Sequence, residues 1–204
     1  MIESPLLHSI PWLEHGFGTR DSTIDQDAMA SLQQIHSSKV IRVSQAGCAG
    51  EADALITTIP GVAVSIRTAD CIPILLVDVE HRAIAAIHAG WRGTAGKITG
   101  NALGSLREAF GSLPGRIVAA IGPGIGECCY AVGAEVAREF GLDQATHLDL
   151  ARLNREQLVE AGVPAGQIDT IGGCTFCESQ KFFSYRRERE QAGRMISFVR
   201  IQRP

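Results

Sequence analysis

The sequence predicts an α/β (α+β) fold with mixed sheets, and three observations predict it. Short apolar, β-branched runs bounded by polar turns read as buried strands. Apolar residues at helical spacing fall between some of these runs. The connections are sometimes short turns and sometimes helices, which implies a mixed sheet or two packed sheets with helices outside, not a regularly alternating doubly wound fold. The whole chain, residues 1–204, is expected to form one domain, since domains of roughly 100–200 residues are ordinary. Its 45% hydrophobic and 20% charged residues leave ample apolar side chains for one core.

In chain order, a loop-like opening rich in His, Gly and Asp leads to Ala28–Ile35, read as a short helix or turn delivering His36, and then to a short strand at Val40–Val43. Gly61–Arg67, Ile72–Val77 and Arg82–Ile87 read as buried strands, which puts Cys71 and His88 at strand ends. From Thr94 to Phe110 the residues Ile98, Ala102, Leu106 and Ala109 recur at helical spacing, closed by Gly111 and Pro114. Arg116–Ile121 is a further strand, Gly122–Cys129 a glycine-rich turn, and Val132, Val136 and Phe140 one face of a second helix. A third helix runs from about Asp149, its N-cap, to Ala161. Strands at Ile168–Ile171, Lys181–Tyr185 and Met195–Ile201 close the chain.

The formal net charge of −3, with Lys and Arg scattered, gives no long-range attraction for nucleic acid or anionic lipid, so neither nucleic acid nor membrane is an expected partner. The longest apolar stretch, around Cys71–Val79, is far below the roughly 20 residues that cross a bilayer. Met-Ile-Glu-Ser-Pro shows no basic-then-hydrophobic leader, and the expected location is the cytoplasm. In that reducing compartment the six cysteines are expected to be thiols or ligands.

Thiolate and imidazole are the donors that zinc prefers, and a catalytic zinc keeps three protein ligands and one free position. His36, Cys71 and His88 supply such a set, with Asp70 beside Cys71 placed to accept a hydrogen bond from an imidazole and fix its tautomer. Each of these residues alone is more often a surface or packing residue. The words around them change that: Gln34-Ile-His36-Ser, Thr68-Ala-Asp-Cys71-Ile-Pro, His88-Ala-Gly-Trp-Arg92-Gly, Ile121-Gly-Pro-Gly-Ile-Gly, and Phe183-Ser-Tyr-Arg-Arg187 followed by Gly193-Arg194.

Together these words resemble the YfiH-type, or laccase-domain, family, from Gly16-Phe-Gly-Thr-Arg20 to the last strand. Its bacterial members carry the labels polyphenol oxidase, purine nucleoside phosphorylase and peptidoglycan-editing factor. The resemblance implies a layered α-β-β-α sandwich, metal ligation by His36, Cys71 and His88, and phosphorolysis of adenosine, inosine, guanosine and methylthioadenosine. Zinc (Zn2+) is the expected cofactor, with copper (Cu2+) able to enter such a site by its higher intrinsic affinity. Zinc also lowers the pKa of water toward ~7, which suits hydrolytic deamination of adenosine.

Phosphate as co-substrate needs an anion cradle. Candidates are the backbone of Gly122, Gly124 and Gly126, together with Arg20, Arg92, Arg186 and Arg187. The glycine run could equally be a tight strand-to-helix turn that binds nothing. Trp91 reads as a packing anchor, although it could stack on a purine. Cys174-x-x-Cys177 lacks a matching second pair, because Cys128 and Cys129 are adjacent, so all four are expected to be buried thiols. Cys48, His8, His15, His81 and His147 have no evident partner.

Three readings compete with a purine nucleoside enzyme. A copper polyphenol oxidase is one, against which stands the shortage of histidines, six in all. A second is a hydrolase with Cys71 as nucleophile and His88 as base, acting on an amide of a cell-wall precursor. The third is a structural zinc module, which requires a fourth protein ligand.

Overall fold

Residues 72–78 and 83–89 are apolar at nearly every position because both faces of these strands are covered. In the computed structural model, which describes residues 1–203, the chain runs α1 (Pro5–His8), β1 (Leu13–Phe17), β2 (Met29–Gln33), β3 (Val40–Arg42), β4 (Gly47–Glu51), β5 (Ala54–Thr57), β6 (Ala63–Thr68), β7 (Ile72–Asp78), β8 (Ala83–Ala89), α2 (Trp91–Ala95), α3 (Ile98–Phe110), β9 (Ile117–Ile121), β10 (Ala131–Val132), α4 (Ala134–Arg138), β11 (Thr146–His147), α5 (Leu150–Glu160), β12 (Ile168–Thr170), α6 (Tyr185–Glu188) and β13 (Met195–Ile201). One sheet has the order β12-β9-β7-β8-β5-β3, the other β1-β13-β6-β2-β4, and β10 pairs with β11 alone. Both large sheets mix parallel with antiparallel pairs, so the chain adopts the mixed α/β class read from its sequence.

Side chains of a strand alternate between faces. On β7, Ile72, Ile74 and Leu76 join Ala85 and Ile87 of β8 under α3 and α5, which contribute Ala102, Leu106 and Leu158. The intervening Leu75, Val77, Ile84 and Ala86 point the other way, into a second core shared with Phe17, Val64, Ile66, Val199 and Ile201 of the facing sheet. Each fully buried Leu or Ile stabilises the fold by roughly 1.5–3 kcal/mol. The outer face of the five-stranded sheet carries a smaller cluster of Met29, Ala63 and Phe198, with Ile24 packed against it.

Several elements depart from the sequence reading. Residues 28–35, expected as a helix or turn, contain strand β2: Ala30 and Leu32 are buried while Ser31 and Gln33 are not, a period of two in a segment that pairs with β4 and β6. The helix expected over Thr94–Phe110 is two helices, broken at Lys97, whose φ of 57° is left-handed. Lys181–Tyr185 is not a strand. The backbone N–H groups of Lys181 and Phe182 donate to Glu178 in a turn, and the Ser184 hydroxyl accepts from Arg187 N–H to start α6. Phe182 and Ser184 are buried at strand-like spacing without a neighbouring strand. The strands β1, β4 and β5 were not anticipated: β1 and β4 are interrupted by small or polar residues, and β5 has only four residues. Asp149 does cap α5, accepting from Arg152 N–H at 2.9 Å.

Candidate metal centre and cleft

The fold brings His36, Cys71 and His88 to one point: a donor atom from each lies within 4.8 Å of the others. Cys71 sits one residue before β7, and His88 lies in β8 opposite Pro73 of β7. Two adjacent strands of the doubly covered sheet therefore hold two of the three side chains. His36 comes from the loop between β2 and β3, at φ 58°, and its ring meets that of His88 edge-on with centroids 4.9 Å apart. Gly90 leaves room for the group, since a Cβ there would stand 3.0 Å from Cys71 Sγ and 3.3 Å from a His36 ring carbon.

A left-handed histidine on a loop needs restraint, and Asp53 provides it. Its fully buried carboxylate accepts from the backbone N–H groups of His36 (3.0 Å) and Ser37 (2.6 Å) and from the Ser37 hydroxyl (2.8 Å). It also contacts His88 Nδ1 at 2.7 Å. A carboxylate in that place selects the tautomer with the proton on Nδ1 and leaves Nε2 with its lone pair for a metal. Burial pushes the Asp53 carboxyl up, but His88 and Ser37 outweigh it and hold it below the usual carboxylate range. Asp53 was missed in the sequence. Its signal, an acid immediately before an apolar strand in Glu51-Ala-Asp53-Ala-Leu-Ile, is weak without the pairing of β5 with β8.

Asp70 does not have the role expected of it. Its carboxylate accepts from the Thr175 hydroxyl at 2.7 Å and from Arg186 N–H at 2.6 Å, not from an imidazole. At φ 89° its backbone turns so that Asp70 O accepts from Ile125 N–H. Asp70 thus fastens two later segments to the strand end that carries Cys71.

Without a metal the three groups polarise one another. Burial raises the Cys71 thiol, but the charge on His88 and hydrogen bonds from His36 and His88 reverse this and bring it down to about 6. Burial lowers His88, while the Cys71 thiolate and Asp53 lift it to about 9. The donor set, two imidazoles and a thiol already disposed to ionise, fits zinc or copper.

The group lines a cleft of ≈ 830 Å³. Five arginines, Arg67, Arg92, Arg186, Arg189 and Arg194, line it, with Trp91, Tyr130 and Tyr185 as its aromatic surfaces. This is a locally cationic, aromatic-walled site on a chain of net negative charge. The Arg92 guanidinium lies 4.4 Å over the Trp91 ring, which also packs on the helix-covered core. Burial, followed by the nearby Cys71 thiolate, pushes the Tyr130 phenol up to about 12, so it stays a donor at neutral pH.

The expected anion cradle is only partly assembled. Arg92 and Arg186 face the cleft, whereas Arg20 and Arg187 do not line it. Arg187 donates to the carbonyls of Thr175, Phe176 and Phe182, and Arg20 pairs with Glu188 over the Phe183 ring. Gly122 N–H donates to Pro73 O, Ile125 N–H to Asp70 O and Gly126 N–H to Cys174 Sγ, leaving little of the run free for phosphate. The glycines serve close packing, since a Cβ at Gly122 would stand 2.2 Å from the Phe17 ring and one at Gly124 would meet Ile72 at 2.3 Å.

The remaining cysteines and histidines also differ from expectation. Cys128, Cys129, Cys174 and Cys177 converge, their sulfurs all within 4.8 Å of one another, and none is fully buried. Tertiary folding supplies the second pair that spacing did not show. His15 is buried and accepts from Ser4 N–H, and His81 contacts Asp78 at 2.9 Å.

Two mixed sheets face to face, with helices over one of them and two histidines and a cysteine converging in an arginine-lined cleft, define an α/β protein with a candidate transition-metal site. The chain belongs to the family described as multi-copper polyphenol oxidoreductase laccase, which it matches over residues 19–202. It is 41% identical over 165 residues to a purine nucleoside phosphorylase of Bacteroides thetaiotaomicron, covering 74% of this chain and 61% of that protein. The chain thus spans less than two thirds of that relative's length. It is 36% identical over 200 residues to adenosine deaminase RL5 from an unknown prokaryotic organism, covering 86% of this chain and 76% of that one. The crystal structure of Bacillus licheniformis hypothetical protein YfiH superposes with a TM-score of 0.83 at 32% identity, over 87% of this chain and 76% of that one. Among the described residues no helix is long and apolar enough to cross a membrane.

Proposed function

We propose that the chain is a zinc-dependent purine nucleoside enzyme, performing phosphorolysis of adenosine, inosine, guanosine and methylthioadenosine and deamination of adenosine. The observation that carries this is a three-residue group of potential ligands, with no fourth His, Cys or carboxylate joining it among the described residues, in the lining of an arginine-rich cleft. Three ligands leave a coordination position free, as catalytic sites require and structural ones do not. The names of the relatives, a purine nucleoside phosphorylase and an adenosine deaminase, point to the same substrate class.

His36, Cys71 and His88 would hold the ion, which supplies Lewis acidity and a lowered pKa for water. Asp53 holds a proton on His88 Nδ1, so that Nε2 is the nitrogen turned toward the ion, and keeps His36 in place. Arg92 and Arg186 bind phosphate, their forked donors matching its oxygens. Tyr130 and Tyr185 offer faces for a purine. In phosphorolysis a phosphate oxygen forms a bond to C1′ as the bond from C1′ to the purine nitrogen breaks; the base leaves with the electron pair and takes up a proton.

The test is zinc analysis of protein made without added copper, paired with chromatography of adenosine turnover with and without phosphate. Adenine formed only with phosphate supports phosphorolysis, and inosine formed without it supports deamination. A zinc-loaded protein giving neither product refutes the proposal. One observation favours a second reading, an amidase of cell-wall precursors: Cys71, His88 and Asp53 are aligned as nucleophile, base and orienting acid. That reading leaves His36 only the hydrogen bond that helps lower the Cys71 thiol, and its sign would be a covalent adduct on Cys71 during turnover.

A further inference from the structure

We propose that Cys128, Cys129, Cys174 and Cys177 form a second metal site, a mononuclear four-thiolate zinc clip outside the cleft. The sulfurs of Cys128 and Cys129 are 3.6 Å apart, those of Cys128 and Cys177 3.8 Å, and those of Cys129 and Cys177 3.3 Å. A tetrahedron with arms of ~2.3 Å, the zinc–sulfur distance, has edges of about 3.8 Å. These three spacings, with Cys174 Sγ within 4.8 Å of each of the other sulfurs, suit ligands around one ion; a multi-iron cluster would hold its cysteine sulfurs further apart.

Two loops each contribute a pair. The turn after Gly126, closed by Cys129 N–H donating to Gly126 O, carries Cys128 and Cys129. The segment Cys174–Cys177 is anchored beside it, with Thr175 N–H donating to Gly124 O. A disulfide would use only two of the four sulfurs and give no reason for the others to converge. Four thiolates around a divalent ion retain net negative charge, and backbone N–H groups aimed at sulfur offset it. Gly126 N–H donates to Cys174 Sγ at 3.2 Å. Binding releases the four thiol protons to solvent and changes no oxidation state.

The clip also has a mechanical consequence. Tyr130, next to Cys129, lines the cleft, and Thr175, between the other two cysteines, donates to Asp70 beside Cys71. Closing the four sulfurs on one ion fixes both segments and, through them, one wall of the cleft.

The experiment uses His88→Ala protein, which lacks one cleft ligand, purified without chelating tags and assayed for metal by mass spectrometry and for coordination by zinc-edge X-ray absorption. We expect about one zinc per chain with only sulfur neighbours at ~2.3 Å, absent from His88→Ala/Cys174→Ser/Cys177→Ser. Should the triple variant fail to fold, the sulfur shell of the single variant decides the matter alone. Iron in place of zinc, nitrogen or oxygen in the shell, or metal-free protein with two thiols recoverable only by reductant would overturn the proposal. Its fate is separate from that of the cleft, because a wild-type protein holding only the all-sulfur zinc refutes the cleft reading and leaves the clip intact.

Discussion

Asp53→Asn is the sharpest perturbation of the ligand group, because it changes charge and hydrogen-bonding pattern while nearly preserving shape. The native carboxylate accepts from His88 Nδ1, from the backbone of His36 and Ser37 and from the Ser37 hydroxyl. The Asn oxygen can serve only one side of this set, and its NH2 then confronts another donor. Hydrogen bonds to a charged group contribute roughly 1.5–3 kcal/mol each, so losing the equivalent of one lowers stability by about that amount, or a Tm decrease of about 3–12 °C for a chain of this size. Outer partners of metal ligands typically contribute 10–100-fold in affinity. Competition with a chromophoric chelator should therefore show zinc bound about 10–100-fold more weakly, with cooperative unfolding retained. Affinity within twofold of wild type in a folded variant would refute the role given to Asp53.

In metal-free protein, alkylation of Cys71 by iodoacetamide, read by peptide mass spectrometry, should stay fast down to pH about 6 and fall below it, whereas an ordinary thiol slows below its usual value of 9.0; bound zinc should protect Cys71. The lowered thiol contributes stability above its unfolded pKa that is lost as pH falls through about 6, and the raised His88 contributes stability below 6.5 that is lost as pH rises through about 9. Cys71→Ser should thus be less stable than wild type between those limits, and chemical denaturation should show the difference closing at pH 5. Gly90→Ala places a methyl 3.0 Å from Cys71 Sγ and should weaken zinc binding while leaving the far-UV spectrum unchanged. Arg186→Ala should raise the KM for phosphate, whereas Arg187→Ala, which removes donors from three carbonyls, should lower Tm with the KM of folded enzyme little altered.

The parts of the fold that were legible are those whose burial is local. Strands β7, β8 and β13 and helix α5 announce themselves through apolar runs, helical spacing and an N-cap. Strand β2 was not legible, because five residues containing Ser and Gln carry too little pattern until their neighbours are known. At the site, the candidate ligands His36, Cys71 and His88 stood out in their surrounding words. What holds them did not: Asp53 gains its meaning from the pairing of β5 with β8, and the four-cysteine group from two loops 48 residues apart. The glycine run stays open between two readings in the sequence, since a glycine-rich turn has the same composition whether it wraps a phosphate or lets Phe17 and Ile72 approach.

The cleft draws its ligand group and one of its walls from separate stretches of chain. His36, Asp53, Cys71 and His88 all precede residue 90, whereas Tyr185, Arg186, Arg189, Ala192 and Arg194 come from one run just before the last strand. Substitution within that run alters the shape and charge offered to an incoming molecule and leaves every donor atom where it was. Selectivity can therefore change in this architecture while the ligand group keeps its arrangement.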